Sequence, residues 1–370
     1  MNADKKLSKV LVTGASGLVG SHVMEFFQSH NIEVFALVRK SSDLKFLKSI
    51  GAKLIEGDIA DLEGLTKIFA EFDSIIHVAA KVGDWGELSD FYKTNVKGTL
   101  NVLKACHTNK IKNIILTGSI SSYGEEDYSG KKDESYPNNS HYDYFLDKVF
   151  PCKMNYYRDT KAMMTKKSEE FFNEISITDP DYAKNLSIVV IEPCWVFGER
   201  EFHSGFYDYI KSVKDGMPFV FGGKGNLFHV IYAPELARAY YLAYQKQLNK
   251  EKDKDKDKDI TGFHRIIVGD ENICEMDIVL KLFCEKAGLK RPKRAPKAVA
   301  YALGFSLEFF YTACKIKIPP LLTRGRVNMF YDNIEYSVAK ANKLLNFKIE
   351  VGLREGIIRT VKWYKDNGLI

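Results

Sequence analysis

The chain has 370 residues, 45% of them hydrophobic and 28% charged, with a formal net charge of +6, enough for one large α/β domain with a smaller appendage or for two ordinary domains. This composition excludes a disordered or generally membrane-spanning chain. Without a long basic stripe interleaved with aromatics, a nucleic-acid partner is not expected, and six scattered cysteines with no CxxC pair imply neither a metal site nor a disulfide framework.

The first residues, MNADKKLSKVLVTG, pass from a polar leader into a strand without the apolar region of a secretion signal, which predicts a cytoplasmic protein. Residues 10–13 form a short apolar run, then comes TGASGLVG, then the helical pattern of Val23, Met24, Phe26 and Phe27. Apolar runs recur at 34–38, 75–78, 114–116 and 188–191, mostly separated by segments of helical length. Strands alternating with helices predict a Rossmann-type, doubly wound parallel sheet over 1–192. Beyond Pro193 the rhythm breaks into loops rich in glycine, proline and aromatics. Helices are expected at 234–245 and 353–364, giving a smaller α+β substrate-binding region over 193–370, partly interleaved with the first. The alternating Lys and Asp of 250–259 carry no apolar side chain and read as a solvated insertion.

Gly14, Gly17 and Gly20 lie between a strand and a helix, where glycines admit a pyrophosphate and the helix N-terminus offers free N–H groups. The spacing is GxxGxxG, a variant of the dinucleotide fingerprint. At the end of the second strand, Arg39 and Lys40 stand where an NAD site would carry Asp or Glu, and a guanidinium there suits a 2′-phosphate, so NADP(H) is expected over NAD(H). Asp58, in EGDIAD, is a candidate acceptor for the adenine amino group.

Tyr157 and Lys161 form a YxxxK pair on one helix face. A tyrosine of pKa about 10 is a poor base at neutral pH, but a neighbouring ammonium stabilises its phenolate. The phenol then gives or takes an alcohol proton while hydride moves to or from the cofactor. Ser119, in LTGSISSYG, can bond the same oxygen. Tyr156 is the rival for this role, but four residues beyond it stands Thr160. The 38 positions between Ser119 and Tyr157 suggest a lid over substrate, with the polar run 125–140 and with His141, Tyr142 and Tyr144 in reach of it.

Together with HVAA (77–80), NVKGT (95–99) and EPCWVFGE (192–199), these motifs resemble the extended short-chain dehydrogenase/reductases over nearly the whole chain. The resemblance implies a catalytic trio of Ser119, Tyr157 and Lys161, adenine at Asp58, and a cofactor lined by Ala79 and Ala80, with Ser16, Leu18, Ile59, Asn95 and Pro193 around it. Arg39 falls where NADPH-using dihydroflavonol reductases carry an arginine. EPCWVFGE resembles a stretch of the 3β-hydroxysteroid dehydrogenases, with Glu192 in place of the usual arginine. Nucleotide-sugar epimerases and dehydratases commonly carry an asparagine where Trp195 stands. AAKVGDWG (79–86) and PPLLTRGRVNMFYDN (319–333) resemble sterol-type and hopanoid-associated dehydrogenases and 3-oxoalkanoate reductases. An oxidoreductase of a lipid-like alcohol or ketone is therefore expected, with Trp85, Tyr123 and Trp195 facing an apolar substrate. A nucleotide-sugar epimerase or dehydratase and a non-catalytic dinucleotide sensor are the alternatives, the second opposed by the intact trio.

Residues 298–314 are apolar apart from Glu308 among charged residues, and follow a basic stretch from Lys290 to Lys297. They read either as a buried helix of the substrate region or, with 290–318 taken together, as a peripheral membrane contact. A homodimer is the remaining expected partner.

Overall fold

The computed structural model describes residues 8–124, 130–138, 140–202, 205–217, 219–220, 222–223, 225–249 and 260–370. The Lys/Asp run at 250–259 and part of the expected lid at 125–140 lie outside them.

Seven parallel strands form one sheet: β1 (Lys9–Thr13), β2 (Glu33–Val38), β3 (Lys53–Glu56), β4 (Ser74–His77), β5 (Asn113–Thr117), β6 (Ser187–Pro193) and β7 (Gly262–Val268), in the order β7-β6-β5-β4-β1-β2-β3. The central strands carry continuous apolar runs (10–12, 75–76, 114–116 and 188–191) because helices cover both faces, and every residue of β4 and β6 is buried. The expected parallel sheet is present, but β7, in the sequence FHRIIV, was not anticipated. It comes from the second half of the chain and extends the N-terminal sheet by pairing along all of β6, from Gly262 opposite Ser187 to Val268 opposite Pro193.

Strand order reverses between β1 and β4, so the crevice at the carboxyl ends of these strands is where an open α/β sheet takes a ligand. Helix α1 (Leu18–Ser29) starts at that end directly after β1, capped by Gly17. Helix α2 (Met154–Thr178) carries the YxxxK pair and stops at Asp179, where Pro180 begins the next turn. Helix α3 (Ala233–Asn249), expected at 234–245, packs on α1 and buries Leu236, Tyr240 and Tyr244 in the main core. The C-terminal helix expected at 353–364 spans Leu353–Asp366.

The apolar stretch at 298–314 is helix α4 (Lys297–Ala313), and it is buried only at Ala300, Gly304 and Glu308. Gly304 lets it approach closely: a Cβ there would lie 3.0 Å from the Thr323 carbonyl carbon. Glu308 accepts from the buried Arg324 guanidinium at 2.7 Å, which fastens α4 to helix α5 (Arg324–Tyr331). Among the described residues no helix is long and apolar enough to cross a membrane.

Candidate active site

The turn between β1 and α1 is drawn tight by contacts that only glycine permits. Gly14 has φ +69°, and a Cβ there would sit 2.6 Å from the Ala79 nitrogen. A Cβ on Gly20 would come within 2.2 Å of the Gly14 oxygen. Gly17 differs, because a Cβ there would meet nothing nearer than the Gly14 oxygen at 3.5 Å. It is the N-cap of α1 with no side chain over the helix end, and the first-turn N–H groups of an α-helix have no intrahelical acceptor. Ser16, Gly17, Leu18 and Gly20 thus border a concavity that a pyrophosphate fits by shape, by donors and by helix dipole.

That concavity is one end of a cavity of about 1480 Å³, larger than the usual range for a drug-sized ligand. Arg39, Asp58, Ile59, Ala79, Ala80 and Pro193 also line it. Arg39 reaches the wall while Lys40 turns to Glu56 at 3.6 Å. Asp58 holds the backbone of its own loop, accepting from the Ala60 N–H at 2.8 Å.

Midway along the same cavity stand Ser119, Tyr157 and Lys161. The Lys161 ammonium donates to the Thr117 carbonyl at 2.6 Å. Its burial pulls the pKa down to about 8, against an opposing pull from the Glu192 carboxylate. Burial alone pushes the Tyr157 phenol upward, and hydrogen bonds from the side chains of Ser119 and Ser121 act in the opposite sense. The two serine hydroxyls lie 2.8 Å apart, and Ser119 Oγ also accepts the Ser121 N–H at 3.2 Å. Ser121 therefore belongs beside the expected trio. Its only sequence signal is the SIS alternation, which is easily taken for turn chemistry.

A polar scaffold fixes this arrangement from behind. His77 lies between Thr13 and Thr99, with Nδ1 2.7 Å and Nε2 3.0 Å from their hydroxyls, and burial first, then the Lys161 charge, drives its pKa down to about 3. Asn95 is not on the cavity wall. It lies in a π-helical turn, Tyr92–Gly98, of a kind often found at functional sites. There its side chain accepts from Lys81 N (2.7 Å) and donates to Lys81 O (3.1 Å) and Thr160 Oγ1 (3.1 Å), clamping the Ala79–Lys81 segment to α2.

Apolar side chains line another part of the cavity, among them Trp195, Leu321, Leu322, Met329, Phe330 and Ile334. Trp195 lines this part with its ring packed on Phe206 and Phe228. Among the cations on the wall are buried Arg158, buried Lys132, and Arg326, which bonds both oxygens of Asp84 at 2.8 and 2.9 Å. None of the three stood out in the sequence, because their cavity lies between segments far apart along the chain.

Two expected substrate contacts lie elsewhere. Trp85 donates its indole N–H to the Ile316 carbonyl at 3.1 Å and carries the Lys153 ammonium over its ring, which ties the 79–86 loop to the segment after α4. Tyr123 is buried behind the wall, donating to Glu192 at 2.6 Å. Of the segment expected as a lid, residues 125–129 and 139 lie outside the described residues, and Gly130 and Lys132 line the cavity. His141 pairs with Asp159 (2.9 Å) and Asp147 (3.2 Å) on the flank of α2, Tyr144 is buried beneath Tyr142, and none of these lines the cavity. The described part of the polar run is pinned down: Lys132 N–H donates to the Glu335 carbonyl and Glu134 accepts from Ile267 N–H at 2.7 Å. Tyr156 is absent from the wall that Tyr157 lines.

Residues 10–256, two thirds of the chain, match the family described as NAD dependent epimerase/dehydratase. The chain belongs to this NAD dependent epimerase/dehydratase family. Within it, the extended short-chain dehydrogenase/reductases include relatives aligned over almost the full length. The 2-alkyl-3-oxoalkanoate reductase of Shewanella oneidensis is 27% identical, covering 96% of this chain and 86% of the relative. A decarboxylating sterol-4-alpha-carboxylate 3-dehydrogenase of Candida albicans is also 27% identical, over 98% and 99%. Among solved structures, a UDP-glucose 4-epimerase of Thermus thermophilus in complex with NAD shares the fold at a TM-score of 0.67 and 21% identity, covering 96% and 99%. Membership makes the cofactor a nicotinamide dinucleotide, in agreement with the glycine cradle.

Proposed function

We propose that this protein is an NAD(P)-dependent dehydrogenase/reductase that interconverts a secondary alcohol and a ketone on an apolar β-hydroxy or β-keto acid. The observation that carries the reading is the shared cavity, whose wall holds the glycine turn, Tyr157 and the apolar side chains around Trp195. Both full-length relatives are named for substrates with a carboxylate on the carbon next to the one that carries the oxygen. Arg158, the residue after Tyr157 and buried in the same wall, offers a cation to that carboxylate. Trp195 and its neighbours take up the hydrocarbon.

Bound between the glycine turn and Tyr157, the nicotinamide dinucleotide would supply the hydride donor or acceptor. Tyr157 exchanges the alcohol proton. Lys161, held on Thr117, keeps positive charge next to the phenol and favours its ionised form. Ser119 and Ser121 bond the oxygen where charge collects. Arg39, at the adenosine end of the cavity, favours the 2′-phosphate of NADP(H), and Asp58 takes the adenine amino group.

The test is a screen of long-chain 3-hydroxy acids, sterol carboxylates and UDP-sugars with either oxidised cofactor, followed at the reduced-nicotinamide absorbance. Accumulating reduced cofactor with a hydroxy acid is the expected result. Conversion of a UDP-sugar with no net change in cofactor would replace this reading with an epimerase.

A further inference from the structure

The solvent face of α4 is as apolar as a core. Ala300, Gly304 and Glu308 are its buried stripe, yet Val299, Leu303 and Phe310 on the other side are exposed, as is Phe309, with both phenylalanines 57% accessible. A surface helix should be polar there. A second segment brings the same chemistry to the same place: Phe145, Leu146 and Val149 are exposed, Val149 to 84%, and Leu146 holds a positive φ of 59°. The two segments form one surface. Phe145 and Phe150 pack on Phe305 with ring centroids 5.5 and 5.9 Å apart, Phe150 also meets Phe309 at 5.8 Å, and the Phe145 N–H donates to the Tyr301 hydroxyl at 3.1 Å.

The surface continues into the cavity. Past the end of α4, Ile318 (67% exposed) and Leu321 (54%) prolong it, and Tyr311, Pro319, Pro320, Leu321 and Leu322 line the cavity. A contiguous apolar patch of this kind on a protein marks an interaction site. Its charge says with what. In 143–153 and 297–321 the exposed charged residues are Lys148, Lys297, Lys315 and Lys317 against a single exposed carboxylate, Asp143, because Asp147 and Glu308 are buried. Apolar side chains flanked by lysines are what an anionic bilayer surface attracts.

We infer that the α4 face and the 145–149 loop seat this protein on an anionic lipid surface, with the mouth of its cavity turned to the membrane so that an apolar substrate passes from bilayer to chamber. The inference rests on the apolar substrate proposed above. No spanning helix is needed, since Phe309, Phe310 and Val149 reach only the headgroup and upper acyl region.

Flotation of the full chain with vesicles of phosphatidylcholine containing about 30% phosphatidylserine tests it. Wild type should float with these vesicles and lose at least about tenfold in partitioning on pure phosphatidylcholine, on 0.5 M salt, or on Lys315→Glu/Lys317→Glu. Leu303→Glu/Phe310→Glu should stay at the bottom of the gradient while turning over a water-soluble hydroxy acid as wild type does. Wild type that fails to float at low salt, or a Leu303→Glu/Phe310→Glu variant that floats as well as wild type, overturns the inference. A wild type that sediments as a dimer, with that variant a monomer, gives the patch to a second copy and also overturns it. Vesicle binding is read without turnover: active protein that does not float sinks only this inference, whereas floating protein that oxidises no hydroxy acid sinks only the proposed reaction.

Discussion

The Lys161 ammonium is bonded to the carbonyl of Thr117 at 2.6 Å, so the lysine four places beyond Tyr157 is anchored to the strand that leads to Ser119. Strand and helix thereby share one fixed geometry. With its pKa near 8, Lys161 is charged at neutral pH and loses its proton just above it. Replacing it by Met removes the charge that favours the phenolate, so the rising limb of the pH–rate profile should move to higher pH and turnover at pH 7 should fall by about 10²-fold or more. Ser121→Ala, which removes one of two hydrogen bonds, should move the same limb upward by about one pH unit. An unmoved limb in both variants would separate these residues from proton transfer.

Tyr157→Phe deletes the proton carrier and little else. Turnover should drop by about 10³-fold, while nicotinamide binding, followed by fluorescence quenching, stays within about twofold. Near-normal turnover would remove Tyr157 from the mechanism.

Arg39→Ala is expected to weaken NADPH by about 10- to 100-fold, the worth of a charge-assisted hydrogen bond to a phosphate, and NADH hardly at all. Calorimetric titration with both cofactors checks this. Equal weakening would assign Arg39 to the part of the adenosine that both cofactors share, and no weakening to neither cofactor.

Three buried histidines make the fold acid-sensitive. His77 stays neutral down to about pH 3 and His229 to about pH 4, with His22 lowered in the same direction, whereas an unfolded histidine titrates near 6.5. Below pH 6.5 the unfolded chain therefore binds protons that the native state refuses. Their contribution is intact above 6.5 and is lost as pH falls towards the folded values. Each should cost about 2 kcal/mol between pH 7 and pH 5. Urea unfolding of His77→Gln at both pH values should show a smaller fall than wild type. An identical fall would mean that His77 contributes nothing to the slope.

Glu192 is wholly buried, bonded to Tyr123 at 2.6 Å and to Arg265 at 3.1 Å, and its burial raises the carboxyl pKa. Arg265→Met should destabilise by about 3–5 kcal/mol at pH 8. The loss should be smaller at pH 5, where the carboxyl can protonate, and adding Glu192→Gln should restore most of it. If the double variant is no better than the single one, packing of the guanidinium against the Tyr123 ring outweighs charge.

What the sequence reveals here is what is local. The glycine turn and YxxxK depend on spacings within one turn or one helix, and they place Gly14, Gly17, Gly20, Tyr157 and Lys161 on one cavity wall. Trp85 misled because its indole answers to Ile316, 231 positions away. His141 looked available until Asp147 and Asp159 claimed it. Strand β7 escaped notice because only its last three residues are fully buried. Helix α4 was ambiguous for a different reason: apolar on all sides, it carries no period that tells the core face from the outer one.

The late arrival of β7 has a consequence for how the protein is made. Six strands of the sheet are complete once residue 193 has left the ribosome, but β6 then ends the sheet as an edge strand whose outer side is unpaired and whose middle, 188–191, is apolar. Its partner is encoded about seventy residues later. During that interval the nascent chain presents a template for pairing with any passing strand, and a chain terminated near residue 200 should accumulate in inclusion bodies even though its cofactor cradle is fully encoded.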